Sequence, residues 1–216
     1  SNLLIFMGEL YRAFHPLGLE VSQSVPLDNQ DLDYSGLSDV NDFLVLMAYD
    51  EHSSISKPGP IASQEWYVDR LEKRLAEVPA QRLVIAIGNY GYDWQENATL
   101  AKSLKFQDAL KISQESKGEV YLDPQSLNET FDYYDEKYQL HHVWFLDAIT
   151  AFNQVVVAQR QGVRGFALWR MGAEDPSTWK VWQQRMNLNQ AAAKQLSLIH
   201  YGYYLNYEGT GEVLKV

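Results

Sequence analysis

Aromatic, acidic and amide residues recur in this sequence directly after short apolar runs, and side chains of these types can bind a sugar. The flat face of a Trp or Tyr ring stacks on the C–H groups of a sugar ring, whereas carboxylates and amides hydrogen-bond hydroxyl and acetamide groups. The same set does not suit a phosphate group. The four stretches are Gln23–Ser24, Met47–His52, Asn89–Trp94 and Trp169–Arg170.

Four apolar runs are predicted to be the strands that carry these residues. Each run is apolar nearly throughout, which is typical of parallel strands that are buried on both faces by helices. In parallel α/β sheets functional residues collect at the carboxyl ends of the strands, so the stretches above are expected to form one site. The predicted strands are Leu19–Val25, Phe43–Tyr49, Leu83–Ile87 and Gly165–Trp169.

Helical patterns precede three of these strands, at Leu3–Phe14, Ser63–Pro79 and Asp147–Gln161. Ser63 is a candidate N-cap, and Asp147 is expected to cap its helix first and to contact the rim of the site second. Together with the strands, these helices predict an α/β fold. The apolar stripe of the second helix is predicted to be Trp66, Leu71, Leu75 and Val78.

The interval between the last two predicted strands is too long for one βα unit, which occupies on the order of 30 residues. We expect a small α+β insertion at residues 100–145 within a single unit that spans residues 1–216. A last strand-like stretch is predicted at Glu212–Val216. The elements predicted inside the insertion are a helix, Phe106–Ser116, and the strands Glu119–Leu122, Phe131–Tyr134 and Leu140–Phe145.

Composition excludes several classes of partner and chemistry. The sequence has 18 Lys and Arg against 28 Asp and Glu, a formal net charge of −10, so a nucleic-acid-binding surface is not expected. It contains no Cys, which excludes disulfides, thiolate nucleophiles and Cys-ligated metal sites. No apolar run is long enough to span a bilayer, so no membrane insertion by this segment is expected.

The strand-end motifs resemble those of the family-18 glycoside hydrolases, the chitinase-like barrels. Leu46–Asp50 is similar to the M-x-Y-D signature of strand six in that family, Leu83–Gly91 to the following strand, and Gly165–Trp169 to the eighth strand with its terminal Trp. The resemblance implies a partial (β/α)8 TIM barrel, made of strands five to eight, with the α+β insertion between the last two. The chain is then expected to begin in the helix that follows strand four, and to be a segment of a longer protein or a half barrel that pairs with something.

A narrower resemblance is to the family-18-like domains of large bacterial membrane glycosyltransferases that also carry a polysaccharide deacetylase domain. It implies an extracytoplasmic location, as a soluble domain of a larger membrane-anchored bacterial protein. The remainder of the parent barrel, or a second copy of the chain, is expected to cover the open half. The segments that carry this resemblance are Asp50–His52, Pro58–Ala62, Val143–Ala148 and Ala167–Asp175.

The family resemblance also implies roles for site residues. Tyr49 and Asp50 would hold the N-acetyl group of the substrate, Met47 would pack under the sugar, and Trp169 would form the floor of the subsite beside the scissile bond. The proton donor of the family is the Glu of a D-x-x-D-x-D-x-E segment, and this sequence contains no such segment. The isolated chain is therefore expected to be inactive. The full set of predicted substrate-binding residues is Met47, Tyr49, Asp50, Asn89, Tyr90 and Trp169.

Other interpretations stay open at this point. The domain could be a non-hydrolytic saccharide-binding or scaffolding module. It could also be a free-standing α/β domain in which Asp50 only forms a turn and Trp169 only packs in the core. Glu51 is the one acid beside the candidate site that could donate a proton, but it lacks a companion carboxylate that such chemistry uses. No metal site and no cofactor are expected, because the candidate ligands His52, His141 and His142 have no evident third partner.

Overall fold

The structure is a computed structural model, and it describes residues 2–179, 182, 203–205 and 213–215. The chain divides into two compact units. The first comprises Ser1–Tyr49, Glu65–Ile87 and Gln154–Leu168; the second comprises Asp50–Gln64, Gly88–Asn153 and Trp169–Val216.

The helices and strands with described bounds are, in chain order, α1 (Asn2–Phe14), β1 (Ser22–Pro26), α2 (Tyr34–Asp39), β2 (Phe43–Ala48), α3 (Gln64–Glu77), β3 (Leu83–Gly88), β4 (Tyr90–Gln95), β5 (Lys102–Lys105), α4 (Phe106–Ser116), β6 (Tyr121–Leu122), β7 (Glu129–Tyr134), β8 (Leu140–Phe145), α5 (Ala148–Arg160), β9 (Gly165–Trp169), β10 (Tyr203–Leu205) and β11 (Val213–Lys215).

A four-stranded sheet with the order β1-β2-β3-β9 forms the centre of the first unit. β1 pairs parallel with β2, and β2 pairs parallel with β3, with Leu46 opposite Val25 and Ile85. β3 is buried along most of its length, whereas β1 is an edge strand that is largely exposed. The sequence therefore predicts an α/β fold correctly, including the parallel pairing of its first three strands.

The helix α3 buries a different stripe from the one that the sequence predicts. Leu71 and Val78 are buried as expected, but Trp66 and Leu75 are only half-buried. Their places in the core are taken by Tyr67, whose hydroxyl donates to the backbone oxygen of Gln154 (3.0 Å), and by Arg74. The Arg74 guanidinium lies 3.9 Å from the centre of the Tyr34 ring, so the cation is buried against an aromatic face.

The second unit contains a five-stranded sheet with the order β5-β4-β8-β7-β6. All of its pairings are antiparallel. One face packs on α4 around three rings: Phe106 and Phe131 lie 5.9 and 6.4 Å from Phe145, centre to centre. Gly91 sits opposite Phe145, and a Cβ atom there would lie 2.5 Å from the Phe145 Cβ, so only glycine permits this approach of β4 and β8.

Several predicted element boundaries differ from the structure. The first strand begins at Ser22 instead of Leu19, because a 3-10 turn over His15–Leu17 and the left-handed Gly18 delay the extended backbone. The stretch Asn89–Trp94, predicted only as the end of the strand Leu83–Ile87, contains most of a further strand, β4. The last strand is Val213–Lys215, paired antiparallel with Tyr203–Leu205, and the other residues predicted to belong to it, 212 and 216, lie outside the described residues.

Among the residues that the structure describes, no helix has both the length and the apolar character needed to cross a membrane.

Candidate functional site

A cavity of about 370 Å³ opens in the second unit. Two neighbouring strands form one wall of this cavity: Tyr90 and Tyr92 come from β4, and Ser103 and Lys105 from β5. The pairing register explains this grouping, since Tyr90 lies opposite Lys105 and Tyr92 opposite Ser103. Directly opposed residues of an antiparallel pair project on the same side of a sheet, so all four side chains share one face.

Asp50 belongs to the same cavity and is held there by two tyrosines. Its backbone is in the left-handed region, with φ 64°. Its Oδ1 accepts hydrogen bonds from the hydroxyl groups of Tyr90 and Tyr92, the latter at 3.0 Å. Among the described residues, Oδ2 accepts no hydrogen bond, so this oxygen can accept one from a ligand.

The phenol of Tyr92 keeps its proton over the whole physiological range. Partial burial, followed by the charge of Asp50, raises the pKa of Tyr92 to about 12. The hydroxyl group therefore remains a donor to the Asp50 carboxylate. The ring of Tyr92 also meets the rings of Tyr90 and Trp94 edge to face, each at 5.4 Å between centres, which fixes the row of aromatic residues along β4.

Trp169, the last residue of β9, and Arg170, which follows it, form another wall of the cavity. Trp169 is 53% exposed and lines the cavity. The buried Asn89 holds the backbone of this wall: its N–H donates to the Trp169 carbonyl (2.9 Å) and its Nδ2 to the Arg170 carbonyl (3.0 Å). Asn89 thus positions the aromatic wall and is not itself one of the lining residues.

The remaining predicted binding residues lie in the first unit. Met47 is on β2, where its carbonyl accepts from the N–H of Leu27 (3.1 Å), and Tyr49 follows the end of that strand. Gln23 and Ser24 lie within β1 instead of following it. The structure thus brings Asp50, Tyr90 and Trp169 together around one cavity of the second unit.

Glu51 and His52 close the loop that follows Asp50. The Glu51 Oε2 accepts from the N–H of Ser63 (2.6 Å), and its own N–H donates to the Ile61 carbonyl (2.9 Å). The His52 Nδ1 lies 2.9 Å from the Pro60 carbonyl oxygen. Through these hydrogen bonds Glu51 holds the loop in its conformation, and its side chain does not line the cavity.

The two other histidines pair with carboxylates on opposite faces of β8. His141 Nδ1 lies 2.7 Å from Asp93 Oδ1, and the hydroxyl of Tyr133 donates to the other oxygen of Asp93 (2.8 Å). His142 Nδ1 lies 2.7 Å from Asp132 Oδ1. Within the described part of the chain, no group of three or more His, Asp or Glu side chains is arranged to hold a metal ion.

Asp147 caps α5, as predicted, but it does not reach a rim. Its Oδ1 accepts from the N–H of Thr150 (2.9 Å), and the residue is buried. Asp175 binds the same helix end, since its Oδ2 accepts from the N–H of Ala148 (3.1 Å). Burial, together with the negative charge of Asp175, raises the pKa of Asp147 to about 7.

Sequence reasoning missed Ser103, Lys105 and Asp108, which also line the cavity. The short polar stretch that forms β5 has no apolar pattern, and only its pairing with β4 brings it to the site. The period-two alternation Tyr90, Tyr92, Trp94 could have identified β4 as a strand.

Comparison with known proteins relates the chain to one family. The sequence model of glycosyl hydrolases family 18 matches residues 1–174. The glycosylase YvbX of Bacillus subtilis strain 168 is 26% identical over 190 residues, which cover 83% of this chain and 54% of that protein. The cortical fragment-lytic enzyme of the same organism is 26% identical over 196 residues, 85% of this chain and 46% of that enzyme.

Among solved structures, a chitinase from Chromobacterium violaceum superposes with a TM-score of 0.80 at 27% identity, covering 87% of this chain and 62% of the chitinase. The spore cortex-lytic enzyme SleL of Bacillus megaterium superposes with a TM-score of 0.75 at 23% identity, covering 84% of this chain and 44% of that enzyme. The chain spans about half the length of the curated relatives that it matches.

Proposed function

The chain belongs to glycosyl hydrolases family 18, and we propose that it is the substrate-holding part of a glycosidase that acts on N-acetylglucosamine-containing polysaccharide. One observation supports this most directly: Asp50, oriented by two tyrosine hydroxyls, and the half-exposed ring of Trp169 line one cavity. An acetamide N–H can donate to the Asp50 carboxylate while a sugar ring stacks on Trp169.

Further parts of the proposal come from the family resemblance. β1, β2, β3 and β9 would be strands five to eight of an eight-stranded barrel, with residues 100–145 as an insertion between the last two. The rest of the barrel, or a second copy of the chain, would cover the sheet. Met47, Tyr49, Asn89 and Tyr90 join Asp50 and Trp169 as the proposed substrate-binding residues.

The proton donor of the reaction is proposed to lie outside residues 1–216, since no D-x-x-D-x-D-x-E segment occurs among them. In substrate-assisted hydrolysis the acetamide oxygen attacks the anomeric carbon while an acid protonates the leaving oxygen. Residues of this chain would bind and orient the acetamide for that attack. We further propose an extracytoplasmic location, in a membrane-anchored bacterial protein that also carries glycosyltransferase and deacetylase domains.

A second candidate is a non-hydrolytic saccharide-binding or scaffolding domain, which the absence of the acid segment from the sequence favours. Incubation of the chain with chitooligosaccharides should give no cleavage, because loss of a general acid costs about 10²–10⁴-fold in rate. Turnover that is abolished by Glu51→Gln would contradict the proposed absence of an acid. Cleavage by a longer protein that contains this chain would decide against the non-hydrolytic candidate.

Binding of tri-N-acetylchitotriose, followed by calorimetry or NMR titration, tests the site itself. Asp50→Asn and Trp169→Ala should each weaken binding by about tenfold or more, the scale of a charge-assisted hydrogen bond or an aromatic contact. Asp31→Asn and Tyr138→Ala are matched controls, since both residues are exposed and neither lines the cavity. Equal losses in all four variants would refute the assignment of the site.

A further inference from the structure

The segment 169–178 carries one wall of the cavity and is held by hydrogen bonds along its length. Trp169, Arg170 and Ala173 of this segment line the cavity. The carbonyl of Ala173 accepts from the N–H of Phe106 (2.9 Å), and the N–H of Ala173 donates to the Arg170 carbonyl (3.3 Å). The position of the wall therefore depends on the contacts that the rest of the segment makes.

Asp175 connects this segment to the first turn of α5. The residue is fully buried, and its Oδ2 accepts from the N–H of Ala148 (3.1 Å), while its Oδ1 accepts from the N–H of Ser177 (2.8 Å). Backbone N–H groups that bind both oxygens stabilise the ionised form of a carboxyl group. Because Ala148 begins a thirteen-residue helix, the positive end of the helix dipole also favours this charge. Asp175 thus holds the wall segment against α5.

Two further buried acids, Asp147 and Glu129, lie at the same helix end. The Asp147 Oδ1 accepts from the N–H of Thr150 (2.9 Å). The carboxyl group of Asp147 also shares a hydrogen bond with that of Glu129, which is buried in β7. Two carboxyl groups form such a bond only when one of them carries a proton. The pair therefore holds at least one proton in the folded chain.

These three acids are not compensated by a cation. The acids that face Asp147 are Glu129, from β7, and Asp175, from the segment 169–178, whereas the first turn of α5 contributes backbone N–H groups. Within the described ranges, none of the three forms an ion pair with a Lys, Arg or His side chain. Burial, followed by the charge of Asp175, raises the pKa of Asp147 to about 7. Above neutral pH, Asp147 therefore places a second negative charge beside Asp175.

We infer that Asp175 is a positioning residue of the cavity wall, and that the proton on Asp147 keeps Trp169 and Arg170 in the position that binds sugar. When Asp147 loses this proton, two carboxylates repel each other at one helix end, and the contacts of Asp175 that hold the segment weaken. The wall then occupies its binding position for a smaller fraction of the time. This inference rests on the proposed saccharide-binding function and adds its regulation: the site binds more tightly in acid than in alkali.

The affinity for tri-N-acetylchitotriose, measured by calorimetry from about pH 5.5 to about pH 8.5, tests the inference. It should fall by about fivefold in the wild-type chain as the pH rises, the lower end of the usual coupling between two sites. Asp147→Asn keeps an oxygen that caps α5 and cannot ionise, so its affinity should stay at the acidic wild-type value throughout. Histidines also change charge in this range, and the difference between the two proteins is therefore the decisive quantity.

Glu115→Gln is the matched control, because it also removes one negative charge. The Glu115 side chain is 68% exposed and does not line the cavity, so this variant should show the same fall in affinity as the wild type. Loss of the pH dependence in Glu115→Gln would mean that net charge, and not the contact between Asp147 and Asp175, controls binding. That result would overturn the inference.

Asp175→Asn tests the positioning role itself. The amide keeps one acceptor oxygen but turns an N–H donor toward a backbone N–H group. The affinity should fall by about fivefold or more at every pH, and its pH dependence should disappear because Asp147 then ionises beside a neutral side chain. Circular dichroism at each pH gives the folded fraction, which separates loss of affinity from unfolding. Wild-type affinity and pH dependence in folded Asp175→Asn would overturn the inference.

A measurement without sugar distinguishes this inference from the proposed function. In NMR spectra of the unliganded chain, the Trp169 indole N–H and the Ala173 amide should titrate with a midpoint near pH 7 in the wild type and not in Asp147→Asn. The same titration in both proteins would overturn the inference. Sugar binding that does not depend on pH would also overturn it and would leave the proposed function in place. Titration of Trp169 without sugar binding at any pH would overturn the proposed function and would support the coupling of Asp147 to the wall.

Discussion

The parallel sheet of the first unit and the antiparallel sheet of the second use their faces differently. In the first unit β3 is apolar and buried along most of its length, and the buried Arg74 lies over the ring of Tyr34. In the second unit β4 alternates, so Gly91 faces the Phe145 core while Tyr90 and Tyr92 face the cavity. The unit with two different sheet faces is the one that carries the candidate site.

The largest expected effect concerns the core that supports this sheet. Phe145→Ala removes the ring that Phe106 and Phe131 both contact, and it should lower the free energy of unfolding by about 3–5 kcal/mol, the usual cost of truncating a buried aromatic residue. Urea denaturation of the wild-type chain and the variant measures the difference. Tyr134→Ala, at a residue that is 65% exposed, is the control and should change the free energy by less than about 0.5 kcal/mol. A loss below about 1 kcal/mol for Phe145→Ala would mean that this core does not support the sheet.

The next largest effect is a dependence of stability on pH that arises from Asp147 in the second unit. Because burial raises the pKa of Asp147 from 3.8 to about 7, the folded state holds this proton more tightly than the unfolded state does. Its contribution to stability is therefore fully present below about pH 4 and is lost as the pH rises to about 7. At roughly 1.4 kcal/mol per pKa unit, the loss is a few kcal/mol at most.

Asp147→Asn keeps a side chain that can cap α5 but cannot ionise. The free energy of unfolding of this variant, measured from about pH 4 to about pH 8, should lack the decline that Asp147 causes in the wild type. The exposed Asp31→Asn serves as the control and should retain that decline. A decline of equal size in the Asp147→Asn variant would contradict the account.

The smallest expected effect is a difference in the free energy of unfolding between variants of two histidine–carboxylate pairs, which lie on opposite faces of β8. Asp93 is buried and hydrogen-bonds both His141 and Tyr133, so Asp93→Ala leaves two half-buried groups without their carboxylate partner and should cost about 1–3 kcal/mol. Asp132 has a side chain that is 61% exposed, and Asp132→Ala should cost less than about 1 kcal/mol. Equal losses in urea denaturation would show that burial does not distinguish the two faces.

The elements that sequence reasoning located best are apolar runs with polar or glycine boundaries. β8, β9 and α4 lie where the sequence predicts them, at Leu140–Phe145, Gly165–Trp169 and Phe106–Ser116. The spacing of their apolar residues and the residues at their ends are local properties, which can be read from a single sequence. The sequence analysis does not separate β4 from β3, because Asn89 alone lies between them, and it assigns the aromatic residues of β4 to the end of the preceding strand.

The parts of the candidate site that were missed depend on contacts between distant residues. Lys105 reaches the cavity only through the pairing of β5 with β4, and Asp50 is oriented by hydroxyls forty and more positions away. The buried place of Arg74 likewise depends on the Tyr34 ring, which no helical period predicts. Residue types at strand ends thus indicate where a site lies, whereas its complete set of side chains follows from tertiary pairing.

The most direct test of the central claim is an NMR titration of the chain with tri-N-acetylchitotriose, observed at the indole N–H groups and the backbone amides. The account predicts that the Trp169 indole and the amides of Asp50, Tyr90 and Tyr92 shift with one common affinity, while the Trp66 indole in the first unit does not move. Shifts centred elsewhere, or none at Trp169 at saturating sugar, would contradict it.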